Sequence, residues 1–240
     1  MINVINIIPA PDLVDNFPIA KISVLIDVIR FTTTMTTALS YGAQFIETYS
    51  DIETPKLLKQ QGYLAAGERN AKKLEGYDFG NSPLEFCTNK IKNQKIAFST
   101  TNGTYAQEKI SKSEYVLAGG FINIDALFTK IQQIDGNVNL MCSGRHLKPC
   151  VEDTIFAGAL AEKLLNTQKY TFTDDNVSMA ISLYKIAKSQ GILQFCLDHS
   201  PYLLSHYSTL KADIDYVFQE NITKTIPLQT ETNKFIFTTL

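Results

Sequence analysis

Short apolar runs alternate with amphipathic segments along the first 165 residues of the chain. Such runs have the length of buried strands, and the segments between them repeat apolar side chains with a helical period. The predicted strands are 1–8, 21–26, 44–48, 63–66, 95–98, 115–118 and 138–141. The predicted helices are 33–41, 53–61, one starting at Ser82, one ending at Ile110, 125–134 and 152–165. This alternation predicts an α/β fold of three layers (α/β/α), in which helices cover both faces of a mixed, mainly parallel sheet.

Helical periodicity dominates the pattern after residue 165. The predicted helices there are 174–189, 194–197, 201–208 and 214–220, and the strands 225–229 and 234–238 close the chain. The stretch 166–173 is the one candidate linker. We therefore expect a single domain over residues 1–240, with the alternative of two lobes in which a helical C-terminal part begins at about residue 166.

The clearest chemical signal lies at the end of the second predicted strand. The apolar run 24–26 stops at Asp27, and Arg30 follows three residues later. Five threonines come next: Thr32, Thr33, Thr34, Thr36 and Thr37. Threonine is a mediocre helix former, so helix propensity does not explain the run. A helix start offers free N–H groups to an anion, and a carboxylate beside it suits a hard cation such as Mg²⁺. The alternative is a capping aspartate and a solvated threonine surface.

Similar polar motifs follow four other predicted strands. The five motifs are DVIR at 27–30, GER at 67–69, STTNGT at 99–104, GGFIN at 119–123 and SGR at 143–145. In parallel α/β sheets, ligands bind beyond the carboxyl ends of the strands. A single edge of one sheet could bring all five motifs together, and this convergence predicts a ligand site at that edge.

The arginines support the same site. Only three of the 22 basic residues are arginine, and Arg30, Arg69 and Arg145 each follow a strand-like run. The planar guanidinium binds phosphate, sulfonate or carboxylate through two parallel hydrogen bonds, whereas lysine acts as a point charge. We therefore expect an anionic ligand.

Composition excludes several other classes of protein. The formal net charge of −2 gives no electrostatic footprint for nucleic acid, and no apolar run is long enough to span a membrane. The N-terminal segment lacks the features of a signal peptide. The four cysteines form no CxxC pair and, with the three histidines, no zinc-binding spacing. A reduced protein in the cytoplasm is the simplest expectation.

Each remaining motif also has a purely structural interpretation. Residues 99–104 could form an anion-binding nest or a simple strand-to-helix turn. Glu68 and Arg69 could be a metal ligand and an anion fork, or a surface ion pair. Glu152 and Asp153 could complete a metal site or merely favour the dipole of the following helix.

Two further groups are ambiguous on residues alone. Asn81 and Ser82 are most simply interpreted as a cap, because Ser82-Pro83-Leu84-Glu85 has the pattern of a helix start. His146, beside Arg145, could be a general acid, although a lone histidine in a loop is more often incidental.

Together these motifs resemble one protein family. DVIRFTTTMTTAL, GERN, GYDFGNSPLEF, STTNGTYA, GGFIN and CSGRHLKPCVEDTIFAGAL, in this order, are similar to the 2-phosphosulfolactate phosphatases from about Val4 to Pro227. The resemblance implies a Mg²⁺-dependent phosphatase of an α/β type. Its reaction would convert (2R)-2-phospho-3-sulfolactate to 3-sulfolactate and phosphate, as in coenzyme M biosynthesis. A small anionic phosphorylated substrate is the implied partner, and a homodimer is compatible with it.

The resemblance and the motifs together nominate the site residues. The catalytic candidates are Asp27, Arg30, Glu68 and Asp153. The Mg²⁺ ligand candidates are Asp27, Glu68, Glu152 and Asp153. The substrate-binding candidates are Thr32, Thr33, Thr34, Arg69, Asn81, Ser82, Thr101, Asn102, Gly103, Thr104, Asn123, Gly144 and Arg145.

Two questions about the reaction stay open at this point. Asp27 could be a Mg²⁺ ligand or a nucleophile that attacks phosphorus, and we favour the ligand role because the second aspartate of familiar aspartyl phosphatases is missing two positions on. The rival functions are a phosphatase for another small phosphorylated hydroxy acid and a non-catalytic anion-binding protein.

Overall fold

A computed structural model describes residues 2–238, and its centre is one large mixed β-sheet. The strands are β1 Asn3–Ile8, β2 Ile22–Ile26, β3 Phe45–Thr48, β4 Tyr63–Arg69, β5 Lys72–Lys73, β6 Lys95–Ser99, β7 Tyr115–Gly119, β8 Val138–Cys142, β9 Tyr170–Thr171, β10 Ile226–Glu231 and β11 Lys234–Thr238. The helices are α1 Phe31–Ser40, α2 Thr54–Leu58, α3 Gly103–Ile110, α4 Ile124–Ile134, α5 Val151–Leu165, α6 Asp175–Gln190, α7 Ile192–His199 and α8 Pro201–Val217. The expected α/β architecture is confirmed.

The strand order is β5-β4-β6-β3-β11-β10-β7-β2-β8-β1-β9. Strands β4, β6 and β3 form one parallel group, and β7, β2, β8, β1 and β9 form another. The C-terminal hairpin β10–β11 lies between the two groups and pairs antiparallel with β7 on one side and β3 on the other. The sheet is therefore mixed but mainly parallel.

Two apolar cores cover the two faces of the sheet. Successive side chains of β2 point to opposite faces, so Val24 and Ile26 enter one core and Leu25 enters the other. The first core contains buried side chains of α4 to α8, and the second those of α1 and α3. This arrangement is the predicted three-layer sandwich of helices, sheet and helices.

Several predicted boundaries differ from the observed ones. The strand expected from Met1 begins at Asn3, and Met1 itself lies outside the described residues. The helix expected at Ser82 is only a 3₁₀ turn over Pro83–Phe86, and the candidate linker contains β9, which pairs with β1. The two helices expected at 201–208 and 214–220 are the two segments of α8, which meet at a kink with non-helical dihedral angles at Leu210, and the second segment ends at Val217.

The C-terminal helices pack closely against the rest of the chain. Helix α6 runs along α5, α7 and α8 follow it, and their apolar side chains belong to the core that also contains β2 and β8. The number of domains stays a prediction. Within residues 2–238, no helix is both long and apolar enough to cross a membrane.

Candidate functional site

A polar pocket opens at the carboxyl ends of the central parallel strands. Ten of the nominated side chains or glycines line it: Asp27, Arg30, Glu68, Asn81, Thr101, Asn102, Gly144, Arg145, Glu152 and Asp153. They come from the carboxyl end of β4, from the segments after β2, β6 and β8, from the irregular loop around residue 81 and from the first turn of α5. The three antiparallel pairings of the C-terminal hairpin make the group of β2 and β8 run opposite to the group of β4 and β6, so the two groups meet at the pocket through the tertiary structure and not through a shared strand direction.

Asp27 stands at the base of the pocket, directly after β2. Its Oδ1 accepts a hydrogen bond from the Phe31 N–H at 3.2 Å, so the carboxylate closes the first turn of α1. Burial and the nearby carboxylates, among them Glu68, raise the pKa of Asp27 to about 7, against the opposing effect of the Phe31 hydrogen bond. Asp27 therefore satisfies the first N–H of α1, and its surroundings favour the protonated carboxyl more than water does.

Asp153 joins the loops after two neighbouring strands. Its Oδ1 accepts from the Val28 N–H at 2.9 Å and its Oδ2 from the Gly144 N–H at 3.0 Å. Burial, and then the charges of Asp27 and Glu152, hold the pKa of Asp153 well above its usual range. Gly144 is required here because its φ is +61°, and a Cβ at this position would fall 2.3 Å from the Lys148 carbonyl oxygen.

Glu152 is paired through one oxygen only. Its Oε1 forms a salt bridge with Arg145, whereas its Oε2 is buried and has no hydrogen-bond partner among residues 2–238. The Arg145 guanidinium also lies over the ring of Tyr202, 3.7 Å from its centroid. The salt bridge and the stacking hold the plane of the guanidinium against the pocket wall.

Glu68 organises the opposite wall. Its Oε1 accepts from both the N–H and the hydroxyl of Thr101, at 3.1 and 3.2 Å, and its Oε2 accepts from the Ala71 N–H at 2.7 Å. Asn102, beside Thr101, accepts a hydrogen bond from the His146 N–H. The segment after β6 is thus fixed by hydrogen bonds on both sides of the pocket.

Arg30 forms a buried salt bridge with Asp213 of α8. The other oxygen of Asp213 accepts a hydrogen bond from the Ser82 hydroxyl at 2.5 Å. Asn81, next to Ser82, lines the pocket, and its side-chain oxygen is buried without a partner.

Arg69 is the last residue of β4 and does not line the pocket. Its guanidinium donates to the carbonyl oxygens of Glu68 and Ser50 and to the Ser99 hydroxyl, at 2.7 to 2.8 Å. These contacts tie the end of β4 to its neighbours. Only two of the three arginines line the pocket.

The threonines of α1 also lie outside the pocket lining. All are buried, and their hydroxyls donate to carbonyl oxygens: Thr32 to Asp27 and Gly119, Thr33 to Val28, Thr34 to Asn81, Thr36 to Thr32, and Thr37 to Thr33. The run therefore fastens α1 to the surrounding segments and presents no solvated surface. Direct substrate binding by Thr32, Thr33 and Thr34 stays a prediction without support from this geometry.

Four more nominated residues are placed behind the pocket wall. Gly103 packs against Phe31 and Asp27, and Thr104 is buried, with its hydroxyl on the Thr100 carbonyl oxygen. Ser82 is engaged by Asp213, as described above. Asn123 is fully buried: its Oδ1 accepts from the Gly120 N–H, and its amide donates to the Thr225 carbonyl oxygen. These contacts connect neighbouring segments of the fold, and substrate binding by the four residues stays a prediction.

Helix α8 contributes three residues that the sequence analysis did not nominate. Tyr202 and His206 line the pocket with stacked rings 4.1 Å apart, and Asp213 binds Arg30. Tyr202 and His206 are four residues apart on one face of the helix predicted at 201–208, so their spacing was a usable signal. Asp213 lies beyond the non-helical dihedral angles at Leu210 and outside both predicted helices.

The cysteine nearest the site is poorly suited to nucleophilic chemistry. Cys150 lines the pocket, but burial holds the pKa of its thiol well above the usual value. Since the thiolate is the nucleophilic form, this thiol is unreactive. His146 also lines the pocket, and its two alternative roles stay open.

Comparison with known proteins identifies the family. The model of the family described as 2-phosphosulpholactate phosphatase matches residues 8–232. A protein of Clostridium beijerinckii named probable 2-phosphosulfolactate phosphatase is 32% identical over 225 residues, which cover 92% of this chain and 94% of that protein. The chain belongs to the 2-phosphosulfolactate phosphatase family. A Thermotoga maritima protein with the same name is 33% identical, with 86% of this chain and 88% of that protein covered.

The Mg²⁺ implied for a 2-phosphosulfolactate phosphatase can be tested against the oxygen donors of the pocket. In the described part of the chain, no three His, Cys, Asp or Glu side chains are grouped to hold an ion alone. Mg²⁺ usually binds through one or two carboxylates and takes water and substrate phosphate oxygens as its other ligands. The unpartnered Glu152 Oε2 and the crowded carboxyl of Asp27 fit that mode. The donor set therefore suits an ion bound jointly with substrate.

Proposed function

We propose that the protein is a Mg²⁺-dependent phosphatase that hydrolyses (2R)-2-phospho-3-sulfolactate to 3-sulfolactate and phosphate. The observation that carries the proposal is the meeting of four carboxylates and two arginines in one pocket at the carboxyl ends of β2, β4, β6 and β8. Cleavage of a phosphate ester depends mainly on positioning and on neutralising charge, and this pocket has side chains for both.

Arg30 and Arg145 would bind the anionic groups of the substrate. Each guanidinium has five N–H donors, and in the described residues each uses one in a salt bridge, Arg30 with Asp213 and Arg145 with Glu152. The remaining donors are available for phosphate, carboxylate or sulfonate oxygens. Their opposing carboxylates restrict the rotation of both side chains before substrate arrives.

Asp27 and Glu152 are the residues best placed to hold Mg²⁺, with Glu68 and Asp153 around them. When bound, the ion would neutralise phosphoryl oxygens and lower the pKa of a coordinated water. Asp153 keeps the loops after β2 and β8 together through the Val28 and Gly144 N–H groups. Glu68 holds the Thr101 segment, so that the two walls keep a fixed separation around the phosphoryl group.

We assign Asp27 the ligand role over the nucleophile role because the second aspartate of familiar aspartyl phosphatases is replaced here by Ile29, two positions on. An acid quench during turnover provides the test. We expect no phosphoprotein, and ¹⁸O from labelled water should enter the phosphate in a single turnover. A trapped phosphoryl group on Asp27 would establish the covalent route instead.

The activity itself is tested by phosphate release from a panel of phosphorylated hydroxy acids, with Mg²⁺ and with EDTA. We expect release from 2-phosphosulfolactate in Mg²⁺ and none in EDTA. Faster release from another phosphorylated hydroxy acid would support the first rival function. Ligand binding without any release would support a non-catalytic anion-binding protein.

We also propose three further properties of the protein. These are participation in coenzyme M biosynthesis, a homodimeric state and a cytoplasmic location, and all three are consistent with a small phosphorylated substrate. Measurement of the molecular mass in solution would test the homodimer.

A further inference from the structure

We propose that Asp213 is a positioning residue that orients Arg30 toward the substrate and makes helix α8 part of the active site. This inference rests on the proposed function, because it assigns the means by which the same pocket binds its anion. Asp213 was absent from the nominated residues and does not itself line the pocket. It acts through the two groups that it binds.

The contacts of Asp213 join three segments that are distant in sequence. Its carboxylate, 6% exposed, forms a salt bridge through Oδ2 with Arg30, at the N-cap of α1. Its Oδ1 accepts the Ser82 hydroxyl at 2.5 Å. Arg30 is itself 7% exposed, so the pair is shielded from competing water. A buried salt bridge with a second hydrogen bond on the same carboxylate specifies one orientation of both partners.

The salt bridge leaves most of the guanidinium available. Within residues 2–238, NH1 of Arg30 bonds to Asp213, and the side chain makes no further hydrogen bond. Arg30 lines the pocket that contains Asp27 and Glu68. One edge of the planar group is therefore fixed by α8, and the remaining N–H donors can meet an anion with little loss of side-chain freedom.

The bond to Ser82 extends the effect of Asp213 to the neighbouring loop. Asn81 precedes Ser82, lines the pocket and has a buried side-chain oxygen without a partner. Its carbonyl oxygen accepts a hydrogen bond from Thr34 of α1. Asp213 and Thr34 thus hold the loop at two successive residues, and the Asn81 side chain is kept at the pocket wall.

The experiment compares two aspartates of the same helix. Asp213→Ala removes both contacts, Asp213→Asn keeps a hydrogen-bonding group of the same shape, and Asp215→Ala is the control. Asp215 lies two residues away and pairs at the surface with Lys211. We expect kcat/KM on 2-phosphosulfolactate to fall about 100-fold in Asp213→Ala and about 10-fold in Asp213→Asn. The control should stay within about twofold of the wild type.

A double variant separates positioning from a general structural effect. If Asp213 acts through Arg30, adding Asp213→Ala to Arg30→Ala should lower kcat/KM by less than about threefold further. The same loss in both backgrounds, or wild-type kinetics in Asp213→Ala, would overturn the proposal. Thermal unfolding is followed in parallel. If Asp213→Ala does not fold, the positioning role is tested with Asp213→Asn and with the double variant Arg30→Ala/Asp213→Ala. The double variant leaves neither charge of the pair buried without its partner.

Inorganic phosphate provides a readout that does not depend on turnover. Calorimetric titration should show weaker phosphate binding to Asp213→Ala than to Asp215→Ala. If the wild type hydrolyses no ester of the panel but phosphate affinity follows this order, the proposed function fails and the role of Asp213 stands. If the wild type is active and the two variants bind phosphate and turn over equally, the role of Asp213 fails and the function stands.

Discussion

Asp27 shows how one residue serves the fold and the site together. Its Oδ1 caps α1 through the Phe31 N–H, while burial and neighbouring carboxylates raise its pKa to about 7. The pKa in the unfolded chain is near 3.8. Between these two values the folded protein retains a proton that the unfolded chain releases. The stability contributed by this group therefore falls as the pH rises through that window, and above pH 7 the full penalty remains.

Replacing Asp27 by asparagine should therefore stabilise the metal-free protein while removing activity. In EDTA, we expect Asp27→Asn to raise the free energy of unfolding by about 1–3 kcal/mol at pH 8, with little difference at pH 4. The amide oxygen can still accept from Phe31, so α1 keeps its cap. Urea unfolding at several pH values measures the difference. A gain that is the same at pH 4 and pH 8 would contradict this account.

The three arginines should respond differently to the same substitution. Arg30→Lys and Arg145→Lys should each lower kcat/KM by about 10- to 100-fold, because a point charge replaces a planar fork in the pocket. Arg69→Lys is the matched control, since its guanidinium bonds to Ser50 and Ser99 outside the lining. Steady-state kinetics of the three variants with 2-phosphosulfolactate measures the difference. An equal loss of kcat/KM in all three variants would contradict this account, because Arg69 does not line the pocket.

At the scale of elements, helix α3 is pressed against the base of the site. A Cβ at Gly103, its first residue, would fall 2.2 Å from the Phe31 ring and 2.8 Å from Asp27 Oδ2. The glycine in STTNGT thus permits close contact between the start of α3 and the start of α1.

Gly103→Ala should therefore reduce both stability and activity. Displacing Phe31 should lower the free energy of unfolding by about 1–3 kcal/mol, as overpacking usually does, and moving Asp27 should lower kcat more than about tenfold. Gly136→Ala is the control because its Cβ would meet only the flexible side chain of Lys21. Denaturant titration and kinetics of both variants test this expectation. If Gly103→Ala folds and has wild-type activity, the close packing of α3 against Phe31 and Asp27 does not control the activity.

The whole molecule depends on its last two strands. The hairpin β10–β11 lies between the two parallel groups of the sheet, so strands that contribute to opposite walls of the pocket are joined through it. Phe235 of β11 is fully buried in the core that also contains Phe31 and Phe98. Loss of its packing would weaken the connection between the two groups.

Phe235→Ala should lower the free energy of unfolding by about 3–5 kcal/mol, through lost burial and the cavity left behind. Phe237→Ala, two residues along the same strand and 53% exposed in the native fold, should change it by less than about 0.5 kcal/mol. Guanidinium titration of both proteins gives the comparison. Similar unfolding midpoints for Phe235→Ala and Phe237→Ala would mean that the packing of the hairpin is not essential to the stability of the sheet.

Local patterns were sufficient for the architecture and for most of the pocket wall. The alternation of apolar runs with helical periods is a property of neighbouring residues, so it predicted the three layers. The rule that ligands bind beyond the carboxyl ends of parallel strands selected Asp27, Glu68 and Arg145, whereas the meeting of two strand groups that run in opposite directions depended on the tertiary structure.

Tertiary structure decided the direction and the partners of individual side chains. Arg30 faces the pocket from the segment after β2, whereas Arg69 is the last residue of β4 and points away from the side that Glu68 occupies, because successive side chains of a strand alternate. The position of the C-terminal hairpin between β7 and β3, and the salt bridge from Asp213 to Arg30 across 183 residues, are likewise long-range pairings. Such contacts leave no period in the sequence, because they form only when the folded chain brings distant segments together.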